Sequence, residues 1–127
     1  MPIKTRIFDV KNPLPFPDDY FDAVYSHMLF NIRFSEDELN LIFSEIRRVL
    51  KPKIGLNFFS VTNHNYKSYG KGKEVEKGIY DIGGFEIRFF TEKQIQDLTS
   101  AEAFEILWIE EEYEDPVKIY LVSSSRK

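Results

Sequence analysis

Apolar and polar positions along the chain sort it into short strands, two helices and the turns between them. From Ile3 to Phe8, Ile3, Thr5 and Ile7 alternate with Lys4, Arg6 and Phe8, which predicts a short strand with one wetter face that ends at Asp9. Lys11–Asp19 carries prolines at 13, 15 and 17, so Leu14 and Phe16 point only where a rigid extended backbone sends them. Phe21–Ser26 is then a nearly continuous apolar run, Phe21, Ala23, Val24 and Tyr25, with Asp22 as its one charge. Such a run predicts a strand covered on both faces.

A helix follows. Ser35 stands three residues before Glu38, the spacing of a capping box. Leu39, Ile42, Phe43, Ile46, Val49 and Leu50 recur at three and four and form one stripe. Glu36, Asp37 and Glu38 at the start and Arg47, Arg48 and Lys51 at the end match the helix dipole, and Pro52 stops the helix. Gly55–Val61 reads as a second buried strand. Strand, helix and strand with short links make a βαβ unit, whose strands run parallel.

Thr62–Gly84 has little periodicity and reads as a long loop. Thr91 and Gln94 form a second capping box, with Phe90 as the staple before it and Ile95 and Leu98 facing inward on a short helix that fades near Ser100. In the tail, Phe104, Ile106, Trp108 and Tyr113 are set against Glu105, Leu107 and Ile109. Asp115–Pro116 supplies a turn before Val117–Val122, and the two strands predict an antiparallel hairpin.

Composition narrows this picture. At 127 residues the chain is one domain, 1–127, with room for a single core. Aromatic residues make up 16%, with twelve Phe and seven Tyr, which suits a core of large side chains, a dimer surface or an apolar pocket. A net charge of −4 and a pI near 5.2 argue against nucleic acid as the main partner. The absence of cysteine excludes disulfides and thiolate chemistry, and two distant histidines make a poor metal site. No apolar run approaches the roughly 20 residues of a membrane span, and the N-terminal residues are unlike a signal peptide. The expectation is a cytoplasmic protein without membrane, metal or nucleic-acid partners.

Parallel strands around a helix, a long loop, a second helix and a closing antiparallel hairpin have the order of the second half of a doubly wound α/β sheet. The phrases that carry the pattern are Asp9, LPFPD at Leu14–Asp18, FDAVYS at Phe21–Ser26, RVLKP at Arg48–Pro52, FFTE at Phe89–Glu92 and FEILWIEE from Phe104. Together they resemble the C-terminal half of a class I S-adenosylmethionine-dependent methyltransferase of the type 11-like group. The resemblance implies an incomplete Rossmann-like sheet of parallel strands with helices, closed by the hairpin. The glycine-rich turn that the family sets against the methionyl end of the cofactor, and the acidic residue that holds its ribose, have no counterpart in these 127 residues. Gly70-Lys71-Gly72 has neither a strand before it nor a helix after it. Pro52-Lys53-Ile54-Gly55 stands where the family has Pro-Gly-Gly, one flexible position fewer.

By the same resemblance Asp9 accepts a hydrogen bond from the adenine amino group and the backbone N–H of Val10 reads the ring. The plain alternative for Asp9 is an Asx turn at a strand end. Ser26 and His27 lie at the carboxyl end of the core strand, where open α/β sheets place ligands, or they are hydrogen-bonded structural residues. His64, Tyr66, Tyr69 and Tyr80 either line an acceptor pocket or pack on the domain. Lys67, Lys71, Lys73 and Lys77 are interleaved with Glu74, Glu76 and Asp81, the pattern of a solvated loop. Three functions are open: a methyltransferase-derived domain inactive alone, a methyltransferase completed by a partner chain, and a non-catalytic interaction module. The core strand, without a neighbour on one side, predicts cover by Ile3–Phe8 or by the same strand of a second copy, hence a homodimer.

Overall fold

A computed structural model of the chain describes residues 3–63, 72–114 and 117–127. Its main sheet has four strands: β1 (Ala23–His27), β2 (Leu56–Thr62), β6 (Phe104–Glu114) and β7 (Val117–Arg126), in the order β1-β2-β7-β6. β1 and β2 are parallel, with Ala23 opposite Leu56 and His27 opposite Ser60. β7 is antiparallel both to β2 and to β6. The βαβ unit and the closing hairpin thus form as the apolar pattern implied. Each strand of the unit lies one or two residues later than the run that announced it, with Phe21 joined to Leu50 by an isolated bridge just before β1.

Helix α1 spans Glu36–Val49, and both arms of its capping box are made: Glu38 N–H donates to Ser35 Oγ at 3.1 Å, and Ser35 N–H to Glu38 Oε1 at 2.9 Å. Helix α2, Glu92–Ala101, has the same box between Thr91 and Gln94. The stripe of α1 is buried against Phe59 and Val61 of β2, Phe104 of β6, and Tyr120 and Val122 of β7, and Phe90 and Ile95 join that core. A 3₁₀ turn at Leu29–Asn31 drops Phe30 into it, with ring centroids 4.8 Å from Phe43 and 5.5 Å from Phe59. Fully burying rings of this size contributes about 1.5–3 kcal/mol each.

Four expectations are corrected. Ile3–Phe8 forms no strand: Ile3 and Ile7 are fully or almost fully exposed, and the segment pairs with no sheet, so it does not cover the edge of β1. An alternating pattern becomes a strand only when it pairs, and Ile3–Phe8 pairs with no strand among the described residues. β1 is not covered on both faces: Ala23, Tyr25 and His27 are exposed while Val24 and Ser26 turn toward α1. The loop expected at Thr62–Gly84 holds two strands, β3 (Lys73–Glu76) and β4 (Ile79–Ile82), which with β5 (Phe85–Arg88) just after it form a second, antiparallel sheet. Gly83 and Gly84, with φ of 60° and 89°, turn β4 into β5, the two-residue turn that glycine pairs favour. Finally, a bulge between Ile106 and Trp108 shifts the alternation of β6, so that Ile106 and Ile109 pack on the core while Leu107 and Trp108 stay exposed. The Asp115–Pro116 turn lies outside the described residues.

Lys53, in the turn from α1 to β2, has φ of 68°, a left-handed conformation that costs a side-chain-bearing residue roughly 1 kcal/mol and glycine nothing. Lys53→Gly is therefore expected to stabilise the protein by about 0.5–1 kcal/mol. A rise in the midpoint of urea unfolding at unchanged slope would show it; a fall would mean that the turn is not strained.

Candidate functional site

An apolar groove of about 350 Å³ runs along the outer side of β1. One wall is Phe8, Val10, Leu14 and Phe16; the other is β1 from Ala23 to Ser26; Ile42, Ile46 and Val49 of α1 form the floor. The first wall has no regular structure and stands because α1 grips it. Prolines 13, 15 and 17 remove the N–H groups a ladder would use, which leaves carbonyls to be satisfied. Arg48 supplies the donors: Nη2 donates to the Leu14 carbonyl at 3.0 Å, and Nη1 to the Phe16 carbonyl at 2.9 Å and to Asp18 Oδ1 at 2.7 Å. Glu45 holds that guanidinium from the other side, accepting from Nε at 2.7 Å and Nη2 at 3.0 Å, and also accepts the Leu14 N–H at 2.7 Å. The bonds from Arg48 hold the Glu45 carboxyl below the usual carboxylate range, against a partial burial that pushes it up. Glu45 and Asp18 together raise Arg48 above the usual arginine value. Phe16 then packs edge-on to Phe21 at 4.9 Å and under the Arg6 guanidinium at 5.1 Å.

Of the four expected site residues, Asp9, Val10, Ser26 and His27, two line this groove. Val10 and Ser26 line it from opposite walls. Ser26 Oγ is buried with no hydrogen-bond partner among the described residues. Asp9 precedes Val10, is exposed and is not part of the lining; its Oδ1 accepts the Lys11 N–H at 2.9 Å in an Asx turn. His27 is not in the groove. It ends β1 on the solvent side, with Nδ1 2.6 Å from Ser60 Oγ, and the same hydroxyl accepts the Met28 N–H at 3.2 Å.

Sequence reasoning missed the groove's aromatic wall. The signal available was Leu14 and Phe16 set between prolines. Tyr80 packs within the small sheet, its ring 5.9 Å from Phe89 and its hydroxyl 3.3 Å from Glu74 Oε2. That sheet is tied to the loop before α1 by Arg33, at 2.8 Å from Glu76 and 2.7 Å from Glu86. His64, Tyr66, Tyr69, Lys67 and Lys71 lie outside the described residues.

Two parallel strands joined through α1 and followed by an antiparallel closing hairpin make an incomplete Rossmann-like α/β sheet. Residues 2–55 match the family described as methyltransferase domain. Among solved structures, the chain is similar to an S-adenosylmethionine-dependent methyltransferase of Methanosarcina mazei, with a TM-score of 0.82 at 20% identity over 95% of this chain and 66% of that one. One from Mesorhizobium loti gives 0.69 at 18% identity, covering 94% and 67%. The 1,6-didemethyltoxoflavin-N1-methyltransferase of Burkholderia thailandensis, solved with 1,6-didemethyltoxoflavin and S-adenosylhomocysteine, gives 0.72 at 15%, covering 93% and 48%. The chain thus spans about half to two thirds of the length of these proteins, from 48% to 67%. No curated protein matches it. Among the described residues no helix is long and apolar enough to cross a membrane.

Arg48→Ala should loosen the proline wall and leave Glu45 without its cation, a loss of roughly 2–3 kcal/mol of unfolding free energy for charge-assisted bonds at a half-buried site. The same pair sets a pH dependence. Glu45 is depressed in the folded protein, so its contribution is present above the ordinary carboxylate pKa of about 4.3 and is lost as pH falls through the lower folded value. Denaturant titrations of wild type and Glu45→Gln at a series of pH values are expected to converge in acid and separate above it. Parallel curves would show that the clamp has no electrostatic part.

Proposed function

We propose that the chain is a methyltransferase-type domain that carries the adenine side of an S-adenosylmethionine site and does not hold the cofactor by its own residues. The supporting observation is the chemistry of the groove. Its lining is almost wholly hydrocarbon, with Ser26 Oγ the one buried polar atom of the lining without a partner among the described residues, and Val10, next to the exposed Asp9, in one wall. A flat base suits such walls. The sulfonium, ammonium, carboxylate and ribose hydroxyls of the cofactor each need a polar partner when bound, and the groove offers none for them. The residues present fit half of the molecule only.

In this reading Asp9 and the Val10 N–H recognise the base, Ser26 closes the inner end of the groove, and His27 keeps the end of β1 in place through Ser60. Methyl transfer is largely a matter of holding a nucleophile and the methyl group in line, so a site that cannot fix the methionyl end does not supply that alignment. Activity then requires a glycine-rich segment from outside these residues, on a partner chain or elsewhere in a longer polypeptide. A non-catalytic interaction module is the second reading, favoured by the unpaired edge and bare face of β1.

Isothermal titration of the purified chain with S-adenosylmethionine and with S-adenosylhomocysteine is expected to give no saturable heat. Stoichiometric binding that Asp9→Ala weakens at least tenfold would overturn the half-site reading and make the chain a cofactor-binding unit in its own right.

A further inference from the structure

Between α1 and α2 lies a second cleft, of about 260 Å³, that shares no lining residue with the groove at β1. Leu39 of α1, Leu98 of α2 and Phe90 just before α2 give it apolar walls, and Glu36, Arg88 and Asp97 bring three charges to it. A cavity of about 150 Å³ takes benzene, so there is room here for a molecule of the size of a free aliphatic amino acid.

Arg88 is the charge that the packing leaves unanswered. It is 9% exposed, a depth at which arginine is rare unless paired. Nη2 donates to the Phe34 carbonyl at 2.5 Å, and Nε is buried with no partner among the described residues. Burial pushes the guanidinium below the usual arginine value, and Glu36 and Glu76 oppose that only through space. A cation taken out of water and short of partners is costly, and the cleft is where an anionic group can reach it.

The other two charges decide the class of partner. Asp97 is answered by Lys93 at 3.1 Å, whereas Glu36 meets Arg88 only through space. A plain anion would gain Arg88 and be repelled by Glu36; a plain cation would meet the reverse. We infer that the cleft binds a small zwitterion of the α-amino-acid type, its carboxylate on Arg88, its ammonium on Glu36 and an aliphatic side chain against Leu39, Phe90 and Leu98. S-adenosylmethionine carries the same head group, but its sulfonium would set a fixed cation against those apolar walls, so it is a poor occupant. The inference therefore does not rest on the methyltransferase reading.

Calorimetry on the purified chain tests it with three molecules of one shape: L-leucine, 4-methylpentanoate, which lacks the amine, and 3-methylbutylamine, which lacks the carboxylate. Leucine should bind saturably with a dissociation constant of roughly 0.1–1 mM, the range open to so small a ligand. The amine should bind at least about tenfold more weakly, and the acid roughly three- to tenfold more weakly, since Glu36 is exposed and its pairing is screened. Glu36→Gln should keep the circular dichroism and unfolding midpoint of wild type and erase the difference between leucine and the acid. Arg88 variants can fail to fold, so its part is read in wild type: the Arg88 Nε–H resonance in proton–nitrogen correlation spectra should shift on titration with leucine, at the same midpoint as the heat. No saturable leucine binding up to about 10 mM would overturn the assignment. So would equal binding of the acid or the amine, a Glu36→Gln variant that keeps the preference for leucine, or an Arg88 resonance that stays still.

Discussion

The groove depends on a single guanidinium. A segment with proline at every second position from 13 to 17 cannot enter a ladder, and its backbone offers chiefly carbonyls. Only a side chain with several donors in a fixed plane can bind two of those carbonyls and a carboxylate together, and Arg48 does so from the last turn of α1. The helix is itself fixed from both ends, by the Ser35 box and by the backbone bonds that tie Tyr20 and Phe21 to the Val49 carbonyl. Grip on the proline wall and the position of β1 are therefore set by the same helix. Lysine at 48 would keep the charge and lose the wall, because an ammonium cannot span those acceptors in one plane.

What could be read from the sequence follows from whether the information is local. The starts of both helices were legible to the residue because a cap is set within four neighbouring positions, Ser35 to Glu38 and Thr91 to Gln94. The parallel pair was legible because a helix between two apolar runs leaves little other geometry. The face on which Trp108 lies was not, since one inserted residue reverses every side chain after it and nothing in FEILWIEE marks where. Ile3–Phe8 failed for the opposite reason. Its alternation is that of a strand, but pairing is a property of two segments, and the pattern of one does not fix the other.

The site was legible only through resemblance. Nothing in the spacing of Val10 and Ser26 says that they line one groove; they do because the proline segment folds back along α1. His27, equally close to the carboxyl end of the core strand, is directed away because strand alternation sends 27 to the face opposite Ser26. The three strands between Gly72 and Arg88 were announced by glycine alone, at 72, 78, 83 and 84, all with positive φ.

The apolar run at β1 carries a further consequence. Its composition suits burial on both faces, yet only Val24 and Ser26 are partly covered, so the sequence and the fold disagree about this strand. An added strand resolves the disagreement whether it comes from a second copy or from a segment that completes the cofactor site. Both would take the same donors and acceptors at Ala23, Tyr25 and His27, and a backbone group cannot serve two strands at once.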